Sequence, residues 1–228
     1  PTIGTNSRQT IMRSLPQSIP TGLLAVAILC LAFASGAKAL PVALNTLIAP
    51  GMSLDSGPLR FSEFAYSNTG DMAKAEEILV DMFVDLDGHA GISITGDFMD
   101  EGTSIGPSAA SISYSVSVID PMDLVVAVTM GADFSLTGLG YANLNANVLN
   151  ESLELIQLFS HNFGNGITSS PVNPVTKILT SPSGQISVVM DNIDAFASNG
   201  FAKITTIEQT FTVVPEPATA LLVGFGLT

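Results

Sequence analysis

The densest group of chemically able side chains in the sequence is Asp81, Asp85, Asp87 and His89. Alternate residues of a β-strand point to one face, so a strand here would line up all four. Three carboxylates and an imidazole in a row could hold Ca²⁺ or another divalent ion. The spacing is not that of an EF-hand loop, which needs alternating acids, a fixed glycine and a terminal glutamate. A solvated strand face ending in a turn explains the same residues without a ligand. Ca²⁺ is the one cofactor the sequence suggests, and only through this quartet. Asp97, Asp100 and Glu101 read as turn acids.

Other arrangements able to do chemistry fail on spacing. His161 lies between Ser160 and Asn162, but the chain has no G-x-S-x-G elbow to present a nucleophile. His89 and His161 are far apart and show no metal-binding spacing such as H-E-x-x-H. Gly138-Leu139-Gly140 lacks the rest of a dinucleotide fingerprint. Tyr66, Tyr114 and Tyr141 are the only tyrosines and there is no tryptophan, which weakens a sugar-stacking platform. Asn143, Asn145 and Asn147 alternate with Leu144 and Ala146 and form a polar strand face or loop, one that could also meet a ligand. No catalytic residue is assigned, and the chain is not expected to be an enzyme. A secreted hydrolase with paired carboxylates is the least favoured reading.

The elements that would carry these residues are strands. Residues 111–118 alternate strictly, with Ile112, Tyr114, Val116 and Val118 on one face, so Tyr114 is expected in the core. Residues 184–190 and 202–213 behave similarly, and 59–66, 91–98, 134–139 and 153–159 less sharply. Turn residues separate them at 87–88, 106–107, 120–121, 164–166, 182–184 and 199–200. Residues 71–77 favour a helix capped by Asp71, whereas 78–86 favour a strand leading into a hairpin. Many short, punctuated strands predict an all-β fold: an antiparallel β-sandwich, jelly-roll-like, over residues 40–213.

Charge is unevenly placed. Residues 1–39 hold Arg8, Arg13 and Lys38 and no acid. Residues 40–228 hold four basic residues against twenty acidic ones, a net charge of −16. Such a surface repels nucleic acid and anionic lipid. Cys30 is the only cysteine, so residues 40–228 form no internal disulfide and depend on an apolar core.

Both ends read as addresses. Met12 and Arg13 precede an apolar run over 23–34, then Ala37-Lys38-Ala39. This is the pattern of a secretory signal with an A-x-A cleavage site at Ala37 and Ala39. Residues 1–11 read as an upstream extension and 1–39 as a segment removed on export, with a helical signal core. At the other end, Val214-Pro215-Glu216-Pro217-Ala218-Thr219 runs into an apolar stretch. Two prolines fix φ and remove N–H donors, which keeps the motif extended and accessible.

That tail resembles the sorting region of bacterial PEP-CTERM proteins. The resemblance covers about 15 residues, 214–228, and agrees with a secretory signal at the opposite end. It implies that Pro215, Glu216 and Pro217 are recognised by a membrane-embedded exosortase-type processing enzyme. It also implies that the segment from Ala218 is a membrane helix, here only partial and without the family's terminal basic cluster. The chain is then expected to be an exported protein at the cell surface or outer envelope of a Gram-negative bacterium. Its association with the membrane through the tail would be transient or permanent. Its expected role is structural or adhesive within exopolysaccharide or biofilm, with extracellular polysaccharide as partner and no nucleic acid. The alternative is a secreted carbohydrate- or calcium-binding module.

Overall fold

The computed structural model describes residues 40–103 and 106–215, with backbone only at 163, 165–173 and 191–192. The expected signal segment, its cleavage residues Ala37 and Ala39, and Glu216, Pro217 and the apolar tail lie outside the described residues. Contacts divide the chain into Pro1–Lys38 and Ala39–Thr228, and every described strand belongs to the second unit.

In chain order that unit contains β1 (Val42–Ala43), a one-turn helix α1 (Leu44–Leu47), β2 (Ser53–Ser56) and β3 (Leu59–Thr69). A 3₁₀ turn (Ala75–Glu77), β4 (Leu79–Val84), β5 (Ala90–Glu101) and β6 (Ser108–Val118) follow. Then come β7 (Asp123–Asn150), β8 (Leu155–Ser183), β9 (Gln185–Ala197) and β10 (Phe201–Pro215). All pairings are antiparallel, so the all-β expectation holds.

The alternation read from the sequence is the alternation of burial. On β6, Ala110, Ile112, Tyr114 and Val116 are buried, while Ser111, Ser113, Ser117 and Val118 are only partly so; Ser115 is buried too, its hydroxyl donating to Glu63 Oε2 at 2.6 Å. Each fully buried aliphatic or aromatic side chain contributes roughly 1.5–3 kcal/mol.

The long strand β7 organises the rest. Its first half pairs with β10, from Asp123↔Pro215 to Thr137↔Phe201. Its second half pairs with β9, from Gly140↔Ala197 to Asn150↔Ile186. β8 runs beside β7 throughout. The sheet thus folds into two layers: β1-β4-β5-β10 with the first half of β7, and β2-β3-β6-β9 with its second half.

The layers meet through named contacts. The rings of Phe61 on β3 and Phe211 on β10 lie 5.7 Å apart. The Tyr114 hydroxyl on β6 donates to Gln209 Oε1 on β10. Asp100 on β5, fully buried, accepts from Ser108 Oγ at 2.6 Å and from the Ala197 N–H at 2.8 Å. The fold-over falls at Gly138, with φ +87°, where an added Cβ would come 2.1 Å from the Asn199 carbonyl oxygen. Only glycine combines that φ with that approach.

Sequence expectations need correction in three places, the first being that Asp97, Asp100 and Glu101 are not turn acids but lie within β5, where Asp100 is buried. The 164–166 glycine segment is not a turn; it lies inside β8, paired with residues 138–140. Glycines here let a strand bend between layers without breaking its ladder. The expected helix after Asp71 shrinks to the 3₁₀ turn, with Lys74 and not Asp71 at its start. Met72 and Ala73 are buried in the core, and the β-forming run behind them joins β5, so packing overrides local helix preference.

Candidate functional site

The asparagine alternation becomes a surface. In the second half of β7 the even-numbered residues Ala142, Leu144, Ala146 and Val148 are buried. Tyr141, Asn143, Asn145 and Asn147 therefore face outward, as the two-residue period requires. Strand register then fixes their neighbours. Tyr141 lies opposite Phe196 of β9, and Asn143 lies between Asp194 of β9 and His161 of β8. Asn145 lies opposite Phe159, and Asn147 between Val189 and Gln157. Four rows at two-residue spacing span about 20 Å along the strands.

Among the described side chains this grid is aromatic and amide, with one carboxylate, Asp194. Tyr141 and Phe196 have ring centroids 5.8 Å apart, and Phe159 and His161 5.2 Å apart. Phe159 is 52% exposed, unusual for so apolar a ring. Gln157 Nε2 donates to Asn147 Oδ1 at 2.9 Å, which holds that row in place. Asn143 Oδ1 is buried with no hydrogen-bond partner, and the unpartnered Ser160 Oγ and Asn162 Nδ2 lie opposite the buried Leu144 and Ala142, on the inward face of the β7–β8 seam. Flat apolar rings beside amide donors and acceptors suit a ligand that has both C–H faces and hydroxyls. His161 and Asp194 flank Asn143 on the two neighbouring strands.

The metal quartet divides. Asp85, Asp87 and His89 come together at the β4–β5 turn, with one ligand atom from each within 4.8 Å of the others. Asp81 does not join them. It lies within β4, which ends at Val84, so the shared strand face expected from odd-numbered spacing does not form. The Asp85 carboxylate shapes the turn. Its Oδ1 accepts from the backbone N–H of Asp87 at 3.0 Å and of His89 at 2.8 Å, and its Oδ2 meets His89 Nδ1 at 2.9 Å. Desolvation works to raise the Asp85 pKa, but the His89 and Asp87 contacts together outweigh it and hold the carboxyl below its ordinary value.

A second carboxylate clamp closes the other hairpin. Glu154, in the β7–β8 turn, accepts from the backbone N–H and hydroxyl of Thr180 at 2.9 and 2.7 Å and from the Ser181 N–H at 3.0 Å. These bonds, with one from Asn150, hold its pKa down. The folded-over hairpin thus brings its tip against the far end of β8. Of the sorting motif, Pro215 is exposed at the end of β10. Among the described residues no helix is long and apolar enough to cross a membrane.

Sequence reasoning found the Asn143–Asn147 alternation but missed Phe159, Phe196, Asp194 and Gln157 as its neighbours. Only strand register brings these residues together.

No protein-family model matches the chain, and no curated protein does. Solved structures give low-similarity matches. One is the enzymatically active domain of bacteriophage CBA120 tailspike protein 4, with 12% identity, a TM-score of 0.32, and 65% of this chain and 19% of that one covered. Another is TmCBM61 in complex with β-1,4-galactotriose, with 11% identity, a TM-score of 0.32, and coverage of 68% and 90%. A third is the CBM22-1 xylan-binding domain of Paenibacillus barcinonensis Xyn10C, with 10% identity, a TM-score of 0.23, and coverage of 64% and 85%. The chain thus spans about a fifth of the tailspike domain's length. At TM-scores this low, none of them bears on function.

Proposed function

We propose that this is an exported surface or matrix protein, not an enzyme, whose β-domain holds extracellular polysaccharide through the outward grid on β9, β7 and β8. The domain is read as a jelly-roll-like sandwich, supported by the pairing orders β5-β10-β7-β8 and β6-β9-β7-β8. The Pro215-Glu216-Pro217 tail is its address, processed by an exosortase-type enzyme. The observation that carries the binding reading is the grid: amides of β7 in register with the exposed ring of Phe159 and with the Tyr141–Phe196 pair. Apart from Asp194 and His161, the described polar groups of the grid are uncharged amides and a phenol, which suits an uncharged glycan.

Affinity electrophoresis of the chain through gels holding neutral polysaccharides tests this. Phe159→Ala with Asn145→Ala is expected to weaken retention at least tenfold, about 1.4 kcal/mol, with an unchanged melting curve because both side chains face outward. Equal retention of the variant and the parent would remove the grid as the site. For the address, a chain lacking residues 215–228 should lose its envelope location. If it stays where the full chain stays, the sorting reading fails. A Ca²⁺-binding module is the second reading, resting on the Asp85, Asp87 and His89 group. Calorimetric titration with Ca²⁺ decides it: heat that Asp87→Asn abolishes would support it, and no heat would end it.

A further inference from the structure

Several exposed apolar side chains of the domain lie around one end. β10 finishes at Pro215, opposite Asp123 at the start of β7. The β6–β7 turn at that end presents Ile119 and Met122, the latter 55% exposed. The β7–β8 tip presents Leu153, 78% exposed. It is tied to this same end because Asn150 Nδ2 donates to the Ser181 carbonyl and Ser183 pairs with Val125. The β4–β5 turn presents Leu86, fully exposed, just beyond the Ala90↔Phe211 pair. Val214, on β10 itself, is also exposed. Three separate turns thus place an aliphatic residue around the point where β10 ends. Three residues past Pro215 the sequence turns apolar, from Ala218 to Leu227.

We infer that this end is a membrane seat: Leu86, Ile119, Met122 and Leu153 insert into the interfacial layer of a bilayer while the segment after Pro217 enters it. This rests on the reading of that segment as a membrane address. Loose aliphatic side chains on turns are costly to leave in water, and burying them in the interfacial layer removes that cost. Asp85, Asp87, Asp120, Asp123 and Glu151 stand between them, so the surface that fits is zwitterionic. An anionic leaflet would repel these carboxylates. Seated this way, the domain stands with its strands rising from the bilayer and the grid on its flank, open to polymer.

The test uses the full chain with Cys30→Ser and one probe site each: Leu86→Cys, Met122→Cys, Leu153→Cys, or Leu139→Cys at the opposite end, which is also exposed. Each carries a polarity-sensitive fluorophore and is mixed with phosphatidylcholine vesicles, some bearing nitroxide-labelled chains. Flotation of the chain with the vesicles reads the tail. Blue-shifted emission with roughly twofold or greater quenching at 86, 122 and 153, and none at 139, is the expected result. Flotation without those changes overturns the seat and leaves the tail reading standing. Failure to float overturns both. Equal quenching at 139 shows general adsorption and also overturns the seat.

Discussion

Asp100 shows how one residue can hold two layers. Its carboxylate is wholly buried and bonds β6 through Ser108 and β9 through the Ala197 N–H. Asp100→Ala leaves both donors unpaired inside the protein. The expected loss is about 3 kcal/mol, read from urea unfolding midpoints. Ser160 gives the opposite sign. Its hydroxyl is buried at 3% exposure with no partner, so Ser160→Ala removes a desolvated group and breaks no bond. A gain of about 1 kcal/mol is expected; a loss in the same unfolding experiment would show that the hydroxyl is bonded. The clamps of Asp85 and Glu154 contribute stability that acid removes. Both folded pKa values lie below the reference values of 3.8 and 4.5. Their contributions are therefore complete above those values and lost as pH falls through the folded ones. Glu154→Gln should lower the melting temperature near neutrality, and the gap from the parent should close as pH drops below about 4.

The elements were legible where one strand pairs in one layer. Residues 111–118 keep Ile112, Tyr114 and Val116 inward, and 202–213 alternate in two runs, Ala202 and Ile204 and then Ile207, Gln209 and Phe211, offset by a bulge between Ile204 and Thr206. β7 and β8 were not legible as single strands: the 134–139 alternation stops before Gly140, and the glycines at 164 and 166 signal a turn when read locally. The decision between turn and bend lies in pairing with β9 and β10, which no local pattern carries. The grid was half legible for the same reason: its asparagines share one strand, while Phe159 and Phe196 arrive from others by register. Gly138 tests this account at the fold-over. Gly138→Ala meets both a left-handed φ and the Asn199 carbonyl, whereas Gly88 has the same φ of +87° with nothing within 4 Å of its added Cβ. Gly88→Ala is expected to cost about 1–2 kcal/mol, the left-handed penalty alone. Gly138→Ala should cost clearly more in the same denaturation assay. Equal losses would mean that the corner yields and that the close approach does not define the fold-over.

For the molecule as a whole, charge and site point in different directions, and the difference is measurable. The chain from residue 40 carries −16, enough to keep it from anionic polymers at low salt. Its grid presents rings and amides, where screening has little to act on. A neutral glycan held by the grid should therefore keep its affinity within about twofold from about 50 mM to about 500 mM salt, since the Debye length shortens without touching those contacts. An acidic glycan reaching the same grid should bind weakly at low salt and gain as salt rises, because repulsion from the surrounding carboxylates is what salt removes. Isothermal titration across that range separates the cases. Affinity for a neutral glycan that collapses with salt would mean that charged groups make the contact. The turn acids at the β10 end would then be the surface to mutate, and the aromatic–amide grid would be an ordinary solvated flank of the sheet.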